Sequence, residues 1–443
     1  MGTMAPVVRL AVGVGLAGEA RGGQIPLELA QAFAGPELLL PLASAIAFGI
    51  LAFVTRSALL PVVVLVSAGL GVAVAATTSF GLDRAGVIRL DGQSEAVLVS
   101  LVVGAGAGYS LLVAGRCGEE LRHRERPVEA VRAAVRRSAR PLLASGLTVI
   151  LAALCLVTSG MPTTRASGVV VGLALVAALG IAAALLVALT FLPGALALLG
   201  RLAYWPRRLA VDGEPPGAGG RVWAVLAALI VRRTKAVWVL TFAVLIVLVG
   251  FVPAFRASRA LPPGGFVRTV PLVLVVLLGV LALTLRALVA PLVLVFAAVL
   301  SGGATIGVAA LVFRDVLRFP GADPVVPLVG FVLLVGLNSG YAVLLMARVR
   351  AEVPALGARA AMLEGLRMTG GVIAAAGVVL AGSFAALAVV PTVFLAQLAF
   401  IVAFGVLLDT FVVRPLLVAA LAFVAGRWMW WPGRLCREGY GGH

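Results

Sequence analysis

Runs of eighteen or more predominantly apolar residues recur between about residue 36 and residue 424 of this 443-residue chain. Each is long enough to cross a hydrocarbon core of about 30 Å. No water satisfies backbone N–H and C=O groups inside such a core, so runs of this length span it as helices. The chain is therefore expected to be an all-α polytopic bundle, a multi-pass protein of the cell (inner or plasma) membrane. Composition points the same way: 62% of residues are hydrophobic, 12% are charged and the mean hydropathy is +1.15. A soluble globular domain carries about a quarter charged residues.

About eleven spans are expected, at about 36–54, 58–79, 96–115, 141–160, 168–199, 235–253, 269–285, 288–312, 325–347, 371–390 and 393–424. Charged segments at 116–140 and 348–368 read as amphipathic helices lying on the membrane surface. Residues 201–233, with Glu214-Pro215-Pro216-Gly217, form the clearest linker, residues 427–443 a tail, and residues 1–35 a short extracytoplasmic lead-in. The net charge is +17. Assigning loops alternately puts roughly 25 basic residues on one side and roughly 8 on the other, which makes the basic side, with the linker and the tail, cytoplasmic. The same basic loops face anionic lipid, so the charge calls for membrane lipids as partners rather than nucleic acid.

One short pattern occurs twice. It reads G-A-G-A-G-Y from Gly104 to Tyr109 and G-L-N-S-G-Y from Gly336 to Tyr341. In each copy an arginine (Arg116, Arg348) and then a glutamate (Glu120, Glu352) follow at the same spacing. Arg56 and Pro61 match Arg286 and Pro291, Gly146 matches Gly377, and Trp205-Pro206 echoes Trp431-Pro432. Offsets that stay near 230 residues over so long a stretch describe a duplication. The halves run in the same direction with the same charge bias, so they form parallel pseudo-symmetric repeats about an axis along the membrane normal. The first repeat covers 36–200 with five spans and the second 234–426 with six.

Chemistry-bearing clusters are scarce. Cys117, Cys155 and Cys436 have no CxxC spacing, and His123 and His443 stand alone, so neither a metal site nor a disulfide framework is expected. The glycines of G-A-G-A-G lie inside an apolar span and lack the strand-turn-helix setting of a dinucleotide site. No cofactor, catalytic residue or enzyme activity is expected.

Three segments carry a resemblance. They are L-V-A-G-R-C-G-E-E-L (112–121), G-F-V-L-L-V-G-L-N-S-G-Y-A-V-L-L-M-A-R-V-R-A-E (330–352) and V-F-L-A-Q-L-A-F-I-V-A-F-G-V-L-L-D-T-F-V-V-R-P-L-L (393–417). With them, residues from about 36 to 435 resemble the MMPL transporters of the RND superfamily. The resemblance implies twelve spans in two halves, a large extracytoplasmic porter domain after the first span of each half, and proton-driven export of lipids, glycolipids or other hydrophobic molecules. It also implies an Asp-Tyr pair in each central helix as proton carrier. This sequence departs twice. Both porter domains are read as missing, and the pairs are Gly108-Tyr109 and Gly340-Tyr341.

Several residues follow as candidates. Gly108, Tyr109, Gly340 and Tyr341 occupy the relay positions, with the tyrosines either remnants that pack and hydrogen-bond or facing groups at the bundle centre. Gly104 and Gly336 are read as close-packing positions, because small residues four apart let helices approach. Asn338 and Ser339 either hold helices together or line a polar path. Asp409, with Arg414 five residues on, is read as an ion pair or cap near the cytoplasmic end of its span, or as a coupling group. Three functions stay open: an exporter of hydrophobic molecules, a non-pumping pseudo-transporter or truncated relic acting as scaffold, homo-oligomer or partner subunit to another membrane protein, and lipid movement that needs no energy source.

Overall fold

The computed structural model describes residues 36–88, 90–124, 126–159, 164–206, 220–255, 263–319 and 323–437. The expected lead-in 1–35, linker residues 207–219 and tail residues 438–443 lie outside the described residues. Every regular element among the described residues is helical.

The first repeat contains α1 (Pro36–Thr55), α2 (Leu59–Arg84), α3 (Gly92–His123), α4 (Pro127–Cys155), α5 (Thr164–Leu189) and α6 (Phe191–Leu199). The second contains α7 (Gly220–Val249), α8 (Pro263–Leu285), α9 (Val289–Leu311), α10 (Val326–Leu356), α11 (Ala358–Ala385), α12 (Val393–Leu408), a π-helical segment Asp409–Val418 and α13 (Ala419–Ala425). Among the described residues, ten stretches are long and apolar enough to cross a membrane. The eleventh expected span, at 235–253, falls on α7. That helix breaks at Arg233 (φ −137°, ψ 43°), and its apolar run begins only after Arg232, Arg233 and Lys235. It nonetheless packs against α9 and α11.

The duplication is visible in the backbone. Arg56 and Arg286 both take positive φ (50° and 48°), as do Gly200 and Gly426 (53° each), and Trp205-Pro206 and Trp431-Pro432 are both cis. The carbonyl of Trp205 accepts from the Ala58 N–H (3.1 Å) and the carbonyl of Trp431 from the Leu288 N–H (2.8 Å). The end of each repeat thus caps a helix start near its own beginning, satisfying an N–H that has no intrahelical partner.

Packing repeats as well. The central helices α3 and α10 are 94% buried over their most apolar stretch, against 22% for the peripheral α1 and α8. The repeats join crosswise, α3 against α11 and α10 against α4, more extensively than the two central helices meet each other. The glycines explain the closeness. A Cβ at Gly104 would stand 2.6 Å from Leu380 Cδ1 and 3.0 Å from its Cα, and one at Gly336 would stand 3.1 Å from Ala152 Cβ. Such notches let backbones meet where lipid offers no hydrophobic drive for association.

The charged segments differ from the surface helices expected at 116–140 and 348–368. Residues 116–123 continue α3 and 127–140 open α4, while 348–356 continue α10 and 358–368 open α11. The spans simply run on past their apolar parts. Glu120 fixes the first corner, accepting from Arg124 Nε (3.1 Å) on one side and Arg137 Nη1 (2.5 Å) on the other.

Candidate functional site

Four helices and the π-helical segment bring the candidates to one buried region. The central helix α3 supplies Gly108 and Tyr109, and α10 supplies Asn338, Ser339, Gly340 and Tyr341. Ser145 comes from α4, Ala376 and Gly377 from α11, and Asp409, Thr410 and Arg414 from the π-helical segment. All of their side chains are buried.

Tyr341, from the second repeat, reaches toward Gly108 of the first. The Tyr341 hydroxyl oxygen lies 2.5 Å from where a Cβ would stand at Gly108, and Ala376 Cβ lies 3.4 Å from that point. At Gly340 the corresponding neighbour is Ser145 Oγ, 2.8 Å away. Ser145 also shares a hydrogen bond with the Tyr109 phenol. Ser145 and Ala376 precede the matched glycines Gly146 and Gly377, so they occupy equivalent places in the two repeats. Serine on one side and alanine on the other explains an asymmetry: the Tyr109 phenol is partnered, whereas the Tyr341 hydroxyl is buried with no hydrogen-bond partner among the described residues. The space beside each glycine is filled from the opposite repeat, so neither is an open slot for a carboxylate.

Asp409 and Arg414 are both buried inside the bundle and form the ion pair expected from the sequence. Residues five apart in an α-helix point in different directions. From Asp409 to Val418 the helix is widened to the i→i+5 pitch, which stacks residues five apart on one face. Asp409 and Arg414 therefore form a buried ion pair within a single turn. Pro415, which has no N–H, sits in this widened stretch. Thr410 faces α11, its Oγ1 2.5 Å from where a Cβ would stand at Gly377. The missing side chain at 377 is what lets the bulged segment approach.

The pair touches the central helix. Arg414 Nη2 donates to the Asn338 carbonyl oxygen at 3.2 Å, and the guanidinium carbon lies 5.7 Å from the centre of the Tyr341 ring, a cation–π distance. Arg414 Nη1, Asn338 Nδ2 and the Tyr341 hydroxyl have no hydrogen-bond partner among the described residues. Buried polar groups are ordinarily paired, and three unpartnered ones stand around this ion pair among the described residues. Ser339 is the settled member of the set, donating to the Gly336 carbonyl at 2.9 Å. Ser145, Thr410 and Gly377 were not legible as site residues, although Gly146 and Gly377 were matched as repeat positions. Among the described residues no group of three His, Cys, Asp or Glu side chains stands close enough to hold a metal.

Comparison with known proteins gives four findings. The model of the MMPL family matches residues 28–237 and 244–438. A membrane protein of Streptomyces coelicolor is 36% identical over 92% of this chain and 75% of its own length. The acyltrehalose exporter MmpL10 of Mycobacterium tuberculosis is 43% identical over 34% of this chain and 15% of its own. Among solved structures, SecDF from Thermus thermophilus, a translocon-associated membrane protein, superposes with a TM-score of 0.61 at 16% identity, over 87% of this chain and 62% of that one. That last likeness is one of fold.

Proposed function

The chain belongs to the MMPL family, and we propose from that premise that this multi-pass protein transports lipids or other hydrophobic molecules outward across the cell membrane. We propose further that Asp409 and Arg414 couple transport to protons in place of the two absent central carboxylates. Membrane lipids and a hydrophobic substrate are its partners in this reading, and its work is transport rather than catalysis.

The observation that carries the coupling proposal is the buried Asp409–Arg414 pair set against Asn338 and Tyr341. A carboxylate in such a place gains or loses a proton as its surroundings change: desolvation favours the neutral acid, and the guanidinium favours the anion. Ionisable groups inside a membrane bundle are costly and cluster where ions or protons move. Any motion that shifts the bulged segment against α10 changes the balance between those two influences.

A second reading has its own support. Tyr341 and Ser145 fill the space beside Gly108 and Gly340, which favours a non-pumping member that acts as a scaffold, homo-oligomer or partner subunit. One experiment separates the readings. The chain is reconstituted in vesicles with a self-quenched fluorescent acyl lipid, and release is followed with and without an imposed proton gradient. Gradient-dependent release supports the exporter; release equal to that of protein-free vesicles under both conditions rejects it.

A further inference from the structure

On the basic end of the bundle, below the tyrosines, a cavity of about 500 Å³ opens between α3, α4, α10 and α11. It sits on the axis relating the repeats, because its walls carry matched residues from both: Arg116 and Leu112 from the first, Arg348 and Leu344 from the second. A volume of this size falls within the range of small-molecule sites.

The lining charges are Arg116, Arg137 and Arg348 against Glu119 and Glu352, an excess of one cation. Each of the two axial arginines is held by one glutamate at 3.3 Å, Arg116 Nη1 by Glu119 and Arg348 Nε by Glu352. Arg137 reaches away to Glu120. A guanidinium has five N–H donors, so one such contact leaves most of each fork unused. Arg116 also lies close enough to Arg348 and Arg137 to feel their charge.

The unpartnered atoms show which ligand chemistry this wall suits. The Ser138 hydroxyl lines the cavity, is more than nine-tenths buried and has no hydrogen-bond partner among the described residues. The Arg348 Nε–H is buried, and its contact with Glu352 lies outside hydrogen-bond geometry. The Arg348 Nε–H can only donate and the Ser138 hydroxyl can do so, and beside an excess of arginine charge the pair suits an acceptor-bearing anion. Beneath them the wall is apolar, formed by Leu112, Leu142, Leu344 and Ile373.

We infer that this cavity binds a phosphate-bearing anion between Arg116 and Arg348, with the Ser138 hydroxyl and the Arg348 Nε–H donating to its oxygens. Planar guanidinium forks suit phosphate oxygens, and an anion shared by two facing arginines offsets their mutual repulsion. The phosphate comes from a lipid headgroup whose chains lie along the apolar wall, or from a free anion. The inference does not depend on whether the chain pumps.

The test uses the full chain in a neutral maltoside detergent, titrated calorimetrically with dihexanoylphosphatidylglycerol, inorganic phosphate and, as the zwitterionic control, dihexanoylphosphatidylcholine. Saturable one-site binding of at least one anion is expected. It should weaken at least tenfold in Arg116→Gln/Arg348→Gln and stay unchanged in Arg132→Gln/Arg136→Gln, two exposed arginines of α4 outside the cavity. Equal affinity for phosphate and the glycerolipid identifies a free anion as the source; binding of the lipid alone identifies a headgroup. Absence of saturable binding for both anions overturns the inference, as does equal weakening in the two double variants. If the axial double variant fails to fold, Ser138→Ala decides: a loss of affinity of about threefold or more is expected, and unchanged affinity overturns the site.

Discussion

The hydroxyl oxygen of Tyr341, carried by the second repeat, lies 2.5 Å from the point where a side chain at Gly108, in the first repeat, would begin. The tyrosine of one matched Gly-Tyr pair thus occupies the room beside the glycine of the other. Gly108→Asp should therefore destabilise the protein by about 1–3 kcal/mol, the usual cost of overpacking. Thermal unfolding in detergent checks this. In a Tyr341→Phe background, which removes the offending oxygen, Gly108→Ala should cost clearly less than in the wild type, and a double-mutant cycle measures the difference.

The two tyrosines differ because Ser145 faces one and Ala376 the other. Ala376→Ser should give the Tyr341 phenol the partner it lacks and stabilise by about 0.5–1.5 kcal/mol, the net value of one hydrogen bond. Ser145→Ala should cost at least as much, since it leaves a buried phenol unpaired. Unfolding midpoints moving in opposite directions in the two variants would establish the asymmetry.

Asp409 and Arg414 compensate each other where water is scarce. Asp409→Ala leaves a buried guanidinium unpaired and should cost about 3–5 kcal/mol. Replacing both residues by apolar ones, as in Asp409→Leu/Arg414→Met, should recover most of that loss, because no buried charge remains. Expression level and melting temperature of the single and double variants provide the readout.

Gly200 and Gly426 share a positive φ of 53° with ψ near −127°, a region L side chains avoid. Gly200→Ala and Gly426→Ala should each destabilise by about 1–3 kcal/mol. Comparable losses at the two sites would establish in energy the equivalence that the backbone shows in geometry.

The fold was largely legible because membrane solvent leaves few options: long apolar runs must be helices, and a duplication fixes which helices correspond. Two features were less legible. Charged stretches such as Arg116–Arg140 were expected as separate surface helices, yet they are ends of spans, since Glu120 pairs across the corner between α3 and α4. The site was legible as a set of residue types but not as an arrangement. The Asp409–Arg414 ion pair was expected, but the π pitch that stacks residues five apart carried no signal in the sequence. Ser145 carried no signal beyond standing next to a repeat glycine, and its importance comes from which side chain the opposite repeat brings to it.

The most direct test of the proposed coupling is proton flux in vesicles containing the purified chain. A pH gradient is imposed, and an internal pH-sensitive dye reports its decay for the wild type, Asp409→Asn and protein-free vesicles. Asp409→Asn keeps the size of the side chain and one acceptor oxygen but removes its titratable proton and its charge. The account predicts wild-type flux above the protein-free control and a fall to that control in Asp409→Asn. Wild-type flux that persists undiminished in Asp409→Asn, or wild-type flux no greater than that of empty vesicles, would contradict it.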